Sequence, residues 1–412
     1  MSVGGSGIPR LQDLSYIEVA VGQVAAGATF EEVRRGLVMQ AAELARDSDT
    51  DGSFDARRWE LVRADGTKHV HNTVDVLKEL MRVGWVVKHN LPSSPSSAYL
   101  HTEVTFTLTE AGRAWAELAN TDRRAAYNQL VSVLARAHPQ FTGFLKLVGA
   151  SRDSLGTHFT IPLLKPTSSA HPTNAAILRA VIEYTTEAAA TGQLGWVADA
   201  ATIDQGITAY VRRFQDRLAA RGKDATRKQF VNTCEEAVTR VAFAAGGCPL
   251  DYISMELLRR WTRTLGIANF SYYAPGPTAM RLWATATVEI GGSKPLIKRR
   301  VGDAVRADAL RAMWTEWPHL RADAAGAMYA PVWRVRAAVC WRNRISDDEF
   351  DRSITEALAG QHSHLPFEIH LDQASLHATP ASTRPLVITT ASGVKRVFNV
   401  INLVPVALKE SS

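Results

Sequence analysis

The chain has 412 residues, with 47 Lys and Arg against 41 Asp and Glu and a formal net charge of +6. With 46% apolar and 21% charged residues, the composition excludes a disordered chain and a coiled coil. No apolar run reaches the ~18 residues that cross a bilayer, and residues 1–7 lead into no signal-peptide core, so a soluble, cytoplasmic protein with no membrane partner is expected.

At ~100–200 residues per domain the length suggests two to four domains. Residues 14–47 read as two helices parted by Gly27. Thr29 and Glu32 form a capping box for the second, and Leu37, Ala41 and Leu44 continue its apolar stripe. A polar turn at residues 47–53 precedes a short strand near residues 59–62. Asn72 is placed to cap the next helix. Its inner face holds Val74, Leu77, Leu80 and Met81, and its outer face Asp75, Lys78, Glu79 and Arg82. Gly84 stops this helix, Trp85-Val86-Val87 starts a strand, and residues 91–98 form a Pro/Ser-rich loop. Val104, Phe106 and Leu108 alternate with Thr105 and Thr107, the period of a half-buried strand, before Thr109 opens a helix carrying Trp115 and Leu118.

The succession of helix, glycine stop, strand, loop, returning strand and the "LTEAGR" helix over residues 70–118 resembles the winged helix-turn-helix superfamily. Its "GW…FTLTEAGR" pairing is similar to the reading helix and wing of MarR and PadR type repressors. The resemblance implies a DNA-reading helix backed by a β-wing. The following rhythm, a helix at residues 123–137 and then "HPQFTGFLKLVGA" and "FTIPLLKP", loosely resembles the tandem winged-helix recognition arrays of type IIS restriction endonucleases.

Residues 165–173 read as a linker, and 174–246 as mainly helical, with Ile177, Val181 and Tyr184 along one face. A second winged-helix unit is expected at 230–290. Ile253, Leu257, Leu258, Trp261 and Leu265 make a helical face from which Arg259, Arg260 and Arg263 point away. Two strands follow, at 269–273 and 280–290, the latter with Leu282, Ala284, Ala286 and Val288 at alternate positions. In a third unit Val332, Val335 and Val339 form one helical face. Ser346 and Glu349 make a capping box, Phe350, Ile354 and Leu358 recur along the next helix, and strand-like runs lie at 367–371, 386–390 and 397–406. The expected fold is therefore mainly α with small β-wings (α+β): tandem winged helix-turn-helix units around a helical middle. The expected divisions are 1–120, an N-terminal winged helix; 121–172, a helical connector; 173–292, a helical region with the second winged helix; and 293–412, a C-terminal winged-helix-like domain.

Charge is unevenly spread: −4 over residues 1–120, +6 over 121–292 and +4 over 293–412. Arginine supplies 36 of the 47 positive charges, and its planar fork of donors suits phosphate and guanine. The DNA-binding residues expected are Arg259, Arg260 and Arg263 on the helix, Tyr272, Tyr273 and Arg281 beside the wing, and Arg212, Arg213, Lys298, Arg299 and Arg300 on phosphates. The acidic N-terminal winged helix is expected to meet a protein partner or its own copy.

No catalytic residue, metal or cofactor is expected. Neither GxxxxGK[ST] nor a dinucleotide fingerprint occurs. Asp347-Asp348-Glu349 reads as a capped first helical turn, where acids complement the dipole. His362, His364, His370 and His377 cluster, with Glu368, His370 and Asp372 on one strand face, but a solvated strand explains them as well as a metal would. His69 and His71 are expected just before the first reading helix. Cys234, Cys248 and Cys340 form no CxxC pair, as fits free thiols in a reducing compartment. The expected function is non-catalytic binding of double-stranded DNA by a recognition or adaptor subunit of a bacterial DNA-handling or antiviral defence complex, nucleoid-associated. The alternatives are a transcription regulator, a protein-binding scaffold of a chromosome-organising ATPase, and a nuclease with an unrecognised centre.

Overall fold

The computed structural model describes residues 11, 14–25, 27–47, 67–90, 104–150, 158–273, 278–289, 296–322, 328–362, 364–373, 385–389 and 394–406. The expected strand near 59–62, the loops at 91–98 and 274–278 in large part, and His377 lie outside them. The chain is 58% helix and 17% strand, with small antiparallel sheets, so the α+β class holds. Among the described residues no helix is long and apolar enough to cross a membrane.

Chain order begins with α1 (Ser15–Val24), β1 (Ala28–Thr29), α2 (Phe30–Asp47), α3 (Thr67–Arg82), β2 (Val86–His89) and β3 (Thr105–Leu108). Next come α4 (Glu110–Thr121), α5 (Arg123–Ala137), α6 (Pro139–Leu147), β4 (His158–Pro162), α7 (Asn174–Ala190), α8 (Ala200–Ala219) and α9 (Arg227–Ala245). Then follow α10 (Tyr252–Thr264), β5 (Ala268–Ser271), β6 (Ala279–Ala284), β7 (Ala286–Glu289), β8 (Leu296–Arg299) and α11 (Asp303–Ala322). The chain closes with β9 (Ala330–Pro331), α12 (Val332–Asn343), α13 (Asp347–Leu358), β10 (Phe367–Asp372), β11 (Leu386–Thr389), β12 (Lys395–Phe398) and β13 (Val400–Pro405). Two compact units result. One holds the described residues up to Phe144 together with Ile253–Leu265 and those of 288–297, and the other holds the remainder.

In the first unit the Thr29–Glu32 capping box forms as the sequence expects. The Thr29 N–H donates to Glu32 Oε2 at 2.7 Å and the Glu32 N–H to Thr29 Oγ1 at 3.4 Å. Gly84, at φ +75°, ends α3, and the Trp85 N–H turns back to Leu80 O at 2.8 Å. The sheet order is β1-β3-β2, with fully buried Phe106 opposite both Ala28 and Lys88. Trp85 stacks on Trp115 at 4.8 Å between centroids, and only a glycine at 112 lets α4 approach, since a Cβ there would lie 2.2 Å from Trp85 O. On α10, Trp261 is fully buried, donates Nε1–H to Leu11 O at 2.8 Å and meets Phe141 edge-on.

Several local expectations for this unit change. Helix α3 begins at Thr67, so Asn72 is not its cap, and His69 and His71 lie inside it. Glu79, expected outside, is fully buried and shares a 2.6 Å hydrogen bond with the equally buried Nε2 of His138. Ile253, expected on the apolar face of α10, is 59% exposed. Of the expected α2 stripe, Leu37 is buried, while the side chains at 41 and 44 lie outside those described.

The second unit contains two further three-stranded sheets, in orders β4-β6-β5 and β10-β13-β9. The central β6 is buried along its whole length, so its residues show no inside–outside alternation. The expected single strand over 280–290 is broken at Thr285, whose N–H and Oγ1–H donate to Ile267 O and Gly266 O. Lys298 and Arg299, read as a connector, belong to β8, which pairs with β7. Val332, Val335 and Val339 are buried as expected, with Phe350 and Ile354 beside them, whereas Leu358 is 44% exposed. Ser346 Oγ accepts from the Glu349 N–H at 3.2 Å, but the Glu349 carboxylate turns to Arg306 at 3.2 Å, so only half of the expected box forms. Trp283 joins that core and donates to Ile345 O at 3.1 Å.

One pattern occurs three times. A short strand comes first, helices intervene, and a later strand pair returns so that its second strand sits between the other two: β1-β3-β2, β4-β6-β5 and β9-β13-β10. In each case one helix (α3, α10 or α13) leads into that pair. In the first and third cases the opening strand runs straight into a helix, at Thr29–Phe30 and Pro331–Val332.

Candidate nucleic-acid interface

Helix α10 carries the arginines singled out by sequence. Its period sets Leu257, Leu258 and Trp261 inward and leaves Arg260 and Arg263 exposed. Arg259 differs. Its side chain is only 11% exposed and is ion-paired with Glu256 one turn back, so much of its charge is spent inside the helix surface. Two outward guanidinium groups at i and i+3 therefore remain on this helix.

On the second unit, Arg212, Arg213, Arg217 and Arg221 are all exposed along and just beyond the C-terminal half of α8. Asp216 lies among them. The sequence keeps this face polar because Ile203, Ile207 and Val211 supply the buried stripe opposite. Lys298 and Arg300 are exposed and Arg299 is half-buried against Gly266, where an added Cβ would stand 3.1 Å from Arg299 Nε.

The aromatic and arginine residues expected beside a wing are less open. Tyr272 and Tyr273 are half-buried and continue an edge-on chain from Phe270 to Trp333. Arg281 lies on the central strand β6, is 6% exposed, and lines a cleft of about 440 Å³ with His158, Thr160 and Trp341. Burial pushes its guanidinium below the usual arginine range. Sequence reading gave no hint of His158 or Trp341, which the fold brings to Arg281 from distant segments. The only local signal was Trp341-Arg342-Asn343-Arg344, a cationic aromatic run at the end of a helix.

The acidic and histidine clusters have structural partners. Asp347 accepts from Asn269 Nδ2 at 2.9 Å, and Arg306 bonds Asp303, Glu349 and Glu356 together. Glu368, His370 and Asp372 share the exposed face of β10, and His362 Nε2 lies 3.7 Å from Glu356. Among the described residues, no three His, Cys, Asp or Glu side chains are grouped to hold a metal ion. No family model matches the chain, and no curated protein or solved structure matches it either.

Proposed function

We propose that the chain binds double-stranded DNA, without catalysis, through winged helix-turn-helix units. The observation that carries this reading is the threefold recurrence of one sheet order, each with a helix leading into the returning strand pair. A winged helix has that connectivity, and the helix before the wing is the one that enters the major groove. Of the three such helices α10 is the best suited to phosphate or guanine, because Arg260 and Arg263 are exposed on it. The basic face of α8, with Arg212 and Arg213, supplies a second surface for backbone contact. Arg259, Tyr272, Tyr273 and Arg281 are secondary in this reading because each is at least half-buried.

A second role follows from the other two helices. The outer surface of α13 offers Asp347, Asp348 and Asp351 against Arg352, and the residues up to 120 are net negative. Such surfaces repel a polyanion and suit a protein partner or a second copy. A recognition or adaptor subunit of a DNA-handling or defence complex joins both kinds of surface, whereas a lone repressor needs only one. The test is fluorescence anisotropy with a labelled duplex, comparing wild type, R260A/R263A and R212A/R213A. Both variants bind more weakly, and R260A/R263A loses more. Wild-type affinity in both would overturn the reading.

A further inference from the structure

The cleft around Arg281 lies wholly within the second unit. Strands β4 and β6 form its floor with Thr160, Ala279 and Arg281, all nearly buried. Its mouth carries the exposed side chains of Thr191, Gln193 and Thr278. The loop after α7 is fastened to β4: the Thr160 N–H donates to Leu194 O at 2.8 Å, and Trp196 Nε1–H donates to Thr160 O at 2.7 Å. Gly195, at φ +78°, permits this approach, since a Cβ there would lie 1.9 Å from His158 O. These contacts hold the walls in place without a ligand.

The polar groups converging here are cationic or neutral. His158 Nε2 lies 2.9 Å from Gln193 O, which can only accept, so that nitrogen carries the proton. His158 Nδ1 is then a bare acceptor and takes the N–H of Arg344 Nη2 at 3.3 Å. Burial, followed by the charges of Arg344 and Arg281, holds the imidazole below its ordinary range; the bond to Gln193 opposes this only in part. Arg344 sits 4.0 Å over the Trp341 ring, and its Nη1 is buried with no hydrogen-bond partner. Burial and the neighbouring Arg300 push the Arg344 guanidinium down to about 10. None of the residues lining the cleft is acidic. The helix end at its wall does not supply the missing negative charge, because the Ala188 and Ala189 carbonyls already accept from Thr191 and Gly192.

An arginine cannot shed its charge on burial as a lysine can, so this region keeps a positive potential in a poorly solvated space. A volume of about 440 Å³ falls within the ~300–1,000 Å³ of small-molecule sites. Its wall of Pro162, Ala188, Leu194 and Trp341 is apolar. We propose that this cleft binds a small organic oxyanion, a carboxylate or phosphate ester with an apolar body, through Arg281 on its floor. The chain then carries an effector or substrate site distinct from the exposed arginines of α10 and α8.

Isothermal titration of the full chain with benzoate, phenyl phosphate and neutral benzamide tests the site. At least one of the two anions binds saturably, and benzamide, lacking a charge-assisted bond, binds at least ~10-fold more weakly. Whichever anion binds more tightly distinguishes a carboxylate site from a phosphate site. R281Q weakens the anion by at least ~10-fold on the same grounds. A188F, which fills the cleft from a half-exposed helix position, abolishes binding even if R281Q fails to fold. R260A/R263A keeps anion binding whatever it does to DNA binding, so the two proposals fail separately. No saturable binding of either anion, equal binding of benzamide, or wild-type binding by A188F overturns the site.

Discussion

Replacing His138 with Ala removes the hydrogen-bond partner of a carboxyl group that has no access to water. The Glu79 side chain is 1% exposed and that of His138 0%, and their contact is 2.6 Å. Arg82 Nε, at 3.9 Å from Glu79 and itself 43% exposed, replaces little of what is lost. Breaking one side of a fully buried polar pair costs ~3–5 kcal/mol, most of it the desolvation of the orphaned group. The lost edge contact between His138 and Trp261, with centroids 5.5 Å apart, adds ~0.5–1.5 kcal/mol. Removing both polar groups in E79L/H138F leaves nothing orphaned and costs far less, ~0–2 kcal/mol. Amide hydrogen exchange of α3 and α5 reads the local opening free energy without assuming that the two units unfold together. A loss below ~1 kcal/mol in H138A, or a double variant as unstable as the sum of its singles, refutes the reasoning.

Two other groups have directions that solution measurements check. The neutral form of His158 is favoured by burial and by two guanidinium groups, so its NMR titration midpoint falls below 6.5, the ordinary value. The sign follows: the unfolded chain takes up a proton there first, so stability falls as pH drops through 6.5 and levels off below the folded midpoint. A midpoint at or above 6.5 contradicts the assignment. Burial, aided by Glu235, pushes the Cys234 thiol up to about 12, and burial alone lifts Cys248 to about 11. Both therefore resist a thiol reagent at pH 8 in the native chain and react on denaturation; rapid native labelling of either would show that the packing around them is wrong.

Helical and strand periods were legible wherever one face meets a core and the other meets water. The strand alternation at Val104–Leu108, the valine face of α12 and the Thr29–Glu32 box are of this kind. Period failed where both faces are covered. Strand β6 is buried throughout, so Arg281 could not be recognised as a floor residue from its spacing. Glu79 sits at a position that reads as polar and outward, and only the return of the chain at His138 gives it a buried partner. Arg259 looked like a third outward arginine because the pull of Glu256 at i−3 was not weighed. The cleft was illegible for a simpler reason: His158, Arg281 and Trp341 come from β4, β6 and α12, and no local pattern joins them.

The central claim is tested most directly by the salt dependence of duplex binding in wild type and R260A/R263A. Each phosphate contact released contributes ~0.9 to the slope of log affinity against log salt. Removing two exposed arginines that each neutralise a phosphate flattens that slope by ~1.8 and weakens binding at low salt. An unchanged slope, or a wild-type chain whose duplex affinity does not respond to salt, would contradict the account.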